Sequence, residues 1–161
     1  MEREHGSTHY TKSGRSGELF SQITIHASPE DIWAVLTDFD KYPQWNPFIK
    51  KIQGEICEGS NLKISLQPPG SFGMNIKPVL LKVNPFNEMR WLGHLLFPGL
   101  LDGEHVLEIR AKGDGTCLFI QKEYFSGLLL PLMEKIMMKS TGEGFFQMNE
   151  ALRDRVEYSF H

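Results

Sequence analysis

The sequence predicts an α+β domain in which a curved antiparallel β-sheet wraps around one long C-terminal α-helix, with two short helices after the first strand. Three observations carry this. Residues 48–125 fall into short runs rich in strand formers, separated by Pro, Gly and Asn turns, as consecutive strands do. After Gly127 the apolar spacing changes to three- and four-residue steps, the period of an amphipathic helix. Neither a βαβ alternation nor an internal repeat is visible, so the strands are read as antiparallel neighbours with the helices on one face.

Residues 1–17 (MEREHGSTHYTKSGRSG) hold almost no apolar side chains. They are expected to form a flexible polar leader, because they bring too little burial to offset the entropy of ordering. His5 and His9 within it read as solvent-exposed. Residues 18–158 are expected to form the single domain. Its first strand is Leu19–His26, marked by the branched Ile23 and Ile25. Ser28 as N-cap, Pro29 at the first helical position and the acids Glu30 and Asp31 then start a helix. It carries Ile32, Trp33, Leu36 and Phe39 at helical spacing. Asp38–Pro47, with two prolines, reads as a short helix or turn. The strands follow as Phe48–Ile56, Leu62–Leu66, Met74–Val83, Met89–Leu95, Gly103–Ala111 and Thr116–Phe125. Pro78 inside the third implies a bulge or an edge position. Gly113-Asp114-Gly115 joins the last two as a hairpin. The long helix runs from about Leu129 to about Arg155 and turns Met133, Met137, Ser140, Gly144, Met148 and Leu152 to one side.

A chain of 161 residues suits one domain with a real core. A hydrophobic fraction of 40% with 23% charged residues marks it as globular rather than disordered. Net charge is −3, from 17 basic and 20 acidic residues, so no basic footprint for nucleic acid is present. The apolar runs Leu95–Leu101 and Leu128–Met133 are interrupted by proline and fall far short of the roughly 20 residues of a membrane span. Cys57 and Cys117 stand far apart, outside any CxxC or Cys/His cluster, and read as free thiols. With no apolar signal segment at the N-terminus, a cytoplasmic protein is expected, as a monomer or homodimer. There is no GxSxG, HExxH, phosphate loop or GxGxxG, so neither a metal nor a cofactor is expected.

The order of elements, together with particular stretches, resembles the SRPBCC superfamily, also called START-like or polyketide cyclase/dehydrase-like. The carriers are ITIHASPEDIWAVLTDFDKYPQWNPF (residues 23–48), Trp91-Leu92-Gly93, Asp102-Gly103-Glu104-His105, Glu123-Tyr124-Phe125-Ser126-Gly127 and the helix residues Gly144, Phe145, Met148, Asn149, Ala151 and Leu152. The resemblance extends over residues 19–155. The resemblance implies the helix-grip fold, with a cavity between sheet and long helix. It also implies a hydrophobic or amphipathic small molecule such as a lipid, isoprenoid or polyketide as cargo. It carries over no catalytic residue, since members of one fold differ in chemistry.

Strand phase points to the candidate site. On 103–111 the apolar positions Leu107 and Ile109 put His105 on the inward face. On 116–125 the odd positions Phe119 and Phe125 put Gln121 and Glu123 inward, whereas even parity would bring Lys122 into the core. A three-residue loop pairs Lys112 with Thr116, and the same register sets His105 opposite Glu123. The pair can brace the sheet, hold the polar end of a ligand, or act as acid and base in a cyclase or dehydratase reaction. The methionines of the helix suit a deformable wall. The expected ligand-binding set is therefore Trp91, His105, Leu107, Phe119, Gln121, Glu123, Met133, Met137 and Phe145. The expected volume is about 300 Å³ or more, as ligand sites usually have. Gly142 and Gly144 mark either a close helix–sheet approach or room for a ligand. The Leu95–Leu101 loop is expected at the cavity mouth. A protein-interaction role is the remaining reading.

Overall fold

The computed structural model describes residues 6–159. Nine strands and three α-helices follow in the order β1 (Ser7–Ser13), β2 (Ser16–Ile25), α1 (Pro29–Thr37), a 3-10 turn (Phe39–Lys41), α2 (Tyr42–Trp45), β3 (Ile49–Gln53), β4 (Lys63–Leu66), β5 (Met74–Ile76), β6 (Val79–Asn84), β7 (Glu88–His94), β8 (Asp102–Ala111), β9 (Cys117–Ser126) and α3 (Leu130–Ser159). All strand pairs are antiparallel. A six-stranded sheet has the order β1-β2-β9-β8-β7-β6, and a three-stranded sheet the order β3-β4-β5. Together they form the curved surface that grips α3.

The start of α1 follows the sequence reading. The Ser28 hydroxyl accepts a hydrogen bond from the Asp31 amide at 3.1 Å, and Pro29 occupies the first turn. The buried Tyr42 donates its hydroxyl to the Leu36 carbonyl at 2.8 Å, tying α2 back to α1.

Two expectations need correction. The segment read as a flexible leader is in large part a strand: Ser7–Ser13 pairs along its whole length with β2, from Ser7 opposite Gln22 to Ser13 opposite Ser16. Gly14, at φ +60°, makes the tight turn between them. Pairing with an open sheet edge, not apolar burial, orders it, and composition does not reveal that. His9 lies on this strand, stacked on Phe20 at 4.7 Å; residues 1–5, including His5, lie outside the described residues. The run Met74–Val83 is not one strand. Pro78 divides it into β5, which belongs to the small sheet, and β6, which belongs to the large one. At the crossing the Pro78 carbonyl accepts from the Leu62 amide and Leu80 donates to Ser60, stitching the two sheets together.

The core lies between α3 and the concave face. Leu19, Ile23 and Ile25 of β2 meet Phe119 of β9 and Phe145, Met148 and Leu152 of α3, all buried. Gly144 marks the closest approach: a Cβ there would run into the Phe48 ring. At Gly142 an added methyl would meet Leu19 and Thr8 at an ordinary 3.6 Å. Gly144 is thus required by the packing of α3 on Phe48, the residue before β3, which makes it worth the roughly 1 kcal/mol that a helical glycine costs.

Candidate functional site

The Gly144–Phe48 contact closes the C-terminal part of the groove and leaves the N-terminal half of α3 standing off the sheet. There a cavity of about 260 Å³ opens, bounded by α3, by β7, β8 and β9, and by β4 and β5. Trp91, His105, Glu123, Met133 and Met137 line it, together with Phe48, Met74 and Phe125. Leu107, Phe119, Gln121 and Phe145 do not. They are buried in the close-packed region behind it, because α3 has already reached the sheet at their level. This shortfall in lining residues also explains a volume slightly below the expected one. The Leu95–Leu101 loop supplies Leu95 and Leu101 to the mouth, as expected. Around that mouth Phe72, Leu96, Leu132 and Ile136 face outward.

The cross-strand register places His105 opposite Glu123. Their side chains meet at 2.9 Å between Nδ1 and Oε2. The imidazole lies between the Trp91 ring, with centroids 4.8 Å apart, and the Phe145 ring, at 4.9 Å. The other carboxylate oxygen, Oε1, has no hydrogen-bond partner among the described residues and faces the cavity. It sits directly over Gly103, where a Cβ would be only 2.5 Å away. A side chain at 103 would displace the carboxylate.

Behind His105 runs a buried polar chain. His105 Nε2 is 3.2 Å from Gln121 Oε1. Gln121 Nε2 donates to Asn149 Oδ1 at 2.7 Å and to the Phe145 carbonyl at 3.3 Å. Asn149 Nδ2 donates to the Ser21 hydroxyl at 2.9 Å, and Ser21 meets Thr8 of β1 at 2.8 Å. Ser21, Gln121 and Asn149 are fully buried, so this chain satisfies polar groups that would otherwise destabilise the core.

A second carboxylate–histidine pair stands at the mouth. Asp102 accepts from His94 Nδ1 at 2.6 Å and from the Gly99 amide at 3.0 Å, which pins the rim loop. Burial opposes ionisation of Asp102, but the hydrogen bonds from His94 and Gly99 outweigh it and hold the carboxyl below its usual range. Within the rim loop Leu96 takes φ +63°, an uncommon conformation for a residue with a side chain.

Sequence reasoning missed His94 and Asp102 as cavity residues, and missed Asn149 as the partner of Gln121 and Ser21 as the partner of Asn149. The signals were present. His94 and Asp102 face each other across the β7–β8 ladder. Ser21 shares the inward parity of Leu19 and Ile23, and Asn149 lies four residues after Phe145 on the buried stripe of α3. Among the described residues no group of three or more His, Cys, Asp or Glu could hold a metal ion, and no helix is long and apolar enough to cross a membrane. Among the described residues no lysine or arginine lines the cavity.

A long helix gripped by a curved antiparallel sheet, with an apolar cavity between them, defines a START-like, helix-grip protein. The chain belongs to the family described as polyketide cyclase/dehydrase and lipid transport, which matches residues 18–157. The resemblance read from the sequence is borne out. No curated protein matches the chain. Among solved structures it is similar to a START superfamily protein from Mycobacterium smegmatis, at 21% identity over 88% of this chain and 98% of that one, with a TM-score of 0.70. It is also similar to the Zhui aromatase/cyclase from Streptomyces sp. R1128 (12% identity, 91% and 96% covered, TM-score 0.72). A norcoclaurine synthase point mutant from Thalictrum flavum is a third (16% identity, 96% and 99% covered, TM-score 0.69). At these identities the likeness is one of fold.

Proposed function

We propose that the protein binds an apolar small molecule in this cavity and holds its polar end on Glu123. The observation that carries the reading is the bare Oε1 of Glu123, set in a predominantly apolar wall of Trp91, Phe125, Met133 and Met137. A few polar groups among apolar ones are the usual composition of an orienting ligand site. With no lysine or arginine in the lining, an anionic head group would be desolvated beside a carboxylate–histidine pair without a free cation. The favoured ligand therefore presents a hydrogen-bond donor, such as a hydroxyl, enol or amine. The methionine wall adapts to its shape, and the apolar rim eases its passage.

Acid–base catalysis of a cyclase or dehydratase type is the second reading. It is favoured by one observation: the cavity-facing carboxylate is backed by an imidazole at 2.9 Å, a source or sink for a proton. Glu123→Gln separates the two readings. The amide oxygen still accepts a hydrogen bond, so binding persists, whereas proton transfer is lost.

Native mass spectrometry of freshly purified protein tests the main reading. The expected result is a small-molecule adduct, released on denaturation and absent from Met137→Trp, which fills the cavity while the circular dichroism stays unchanged. An adduct that persists unchanged in folded Met137→Trp would place the ligand elsewhere and refute the reading.

A further inference from the structure

The two ring nitrogens of His105 are both engaged, and the partner of each constrains where hydrogens can lie. The Phe145 backbone carbonyl can only accept a hydrogen bond. Gln121 approaches it at 3.3 Å, so the atom it presents there is the amide nitrogen; a flipped amide would set two oxygens against each other. With Nε2 of Gln121 turned to Phe145 and Asn149, its Oε1 faces His105 Nε2 at 3.2 Å. An amide oxygen cannot donate, so His105 Nε2 carries a hydrogen. Each later link keeps the same direction, from Gln121 to Asn149 and from Asn149 to Ser21, whose hydroxyl hydrogen is then free for Thr8. Such a chain of aligned donors is mutually reinforcing, and reversing one link would orphan buried groups.

That leaves the 2.9 Å contact between His105 Nδ1 and Glu123 Oε2. With Nε2–H fixed, Nδ1 is the ring nitrogen that faces the Glu123 carboxylate. We infer that Gln121 is a positioning residue that locks the Nε2–H form of His105, so that Nδ1 is the ring nitrogen turned to Glu123. His105, set against the tilted rings of Trp91 and Phe145 with its nitrogens turned to Gln121 and Glu123, has none left for a ligand. Resting on the ligand-binding reading above, Glu123 is then the member of the pair that meets the bound molecule.

The test is long-range 1H–15N NMR of the ligand-free, full-length protein, so its outcome is independent of whether the cavity takes a ligand. In wild type at neutral pH His105 Nε2 is expected to bear a hydrogen. In Glu123→Gln the acceptor on Gln121 is unchanged, and the ring is expected to keep Nε2–H. Gln121→Met removes the acceptor, and the hydrogen is expected to move to Nδ1, facing Glu123, with loss of the Nε2–H signal. A bare Nε2 in wild type, an Nδ1–H tautomer in Glu123→Gln, or a persistent Nε2–H in folded Gln121→Met would each overturn the assignment. If Gln121→Met does not fold, the first two measurements decide it.

Discussion

Asn149→Ala removes the middle of the buried polar chain and puts a number on it. Asn149 is fully buried and makes two hydrogen bonds, accepting from Gln121 at 2.7 Å and donating to Ser21 at 2.9 Å. Each is worth about 1 kcal/mol net, and partly unsatisfied buried partners add about 1 kcal/mol or more. Gln121 keeps the Phe145 carbonyl, which limits its loss. The expected destabilisation is therefore about 2–4 kcal/mol. With a urea m-value of about 2 kcal/mol/M, the unfolding midpoint falls by about 1–2 M. Gln147→Ala is the control on the same helix: its side chain bonds only Glu143 on the exposed face, and its effect should stay within about 0.5 kcal/mol. Equilibrium urea unfolding at pH 7 reads both. If Asn149→Ala also stays within about 0.5 kcal/mol, the chain is not holding the core together and the reasoning fails.

Two further outcomes follow from the charges and thiols. Burial opposes ionisation of Glu88 and Glu108, but hydrogen bonds from Lys82 and Arg90 to the first and from Arg110 and Lys122 to the second hold both carboxyls below the usual range. A folded-state value below the unfolded one stabilises above about pH 4.3, and that stability is lost as pH falls through the folded values. The urea midpoint should thus decline below about pH 4.3, less steeply in Glu88→Gln/Glu108→Gln; an equal decline would deny these pairs a role. Cys57 is exposed, whereas Cys117 is buried, donates to the Ala27 carbonyl at 3.2 Å and has its thiol pushed up by burial and by Glu30 and Asp114. A thiol-exchange reagent should modify one cysteine per native chain and both in urea; two fast thiols in the native protein would contradict the packing around Cys117.

The long helix, the capped α1 and the β8–β9 hairpin were legible because each has a local signal: period 3.6, Ser28-Pro29, and Gly113-Asp114-Gly115. The contact between His105 and Glu123 was legible for the same reason, since alternation and one turn fix the register. What eluded the sequence depends on the approach of distant elements. Phe119 and Phe145 face inward as expected, yet only the seat of Gly144 on Phe48 shows that the cavity ends before reaching them. The strand Ser7–Ser13 has no apolar pattern because it rests on backbone pairing with β2. The division at Pro78 required knowing that two sheets meet there.

The central claim is an apolar cavity that selects a hydrogen-bond donor through Glu123. Calorimetric titration with 2-naphthol, 2-methoxynaphthalene and 2-naphthoate tests it most directly, since the three share one ring system and differ in the polar end. The account predicts that 2-naphthol binds at least about tenfold tighter than either of the others, a difference of about 1.4 kcal/mol, and that Met137→Trp abolishes its binding. Naphthoate binding as tightly as naphthol, or naphthol binding unaffected by Met137→Trp, would contradict it.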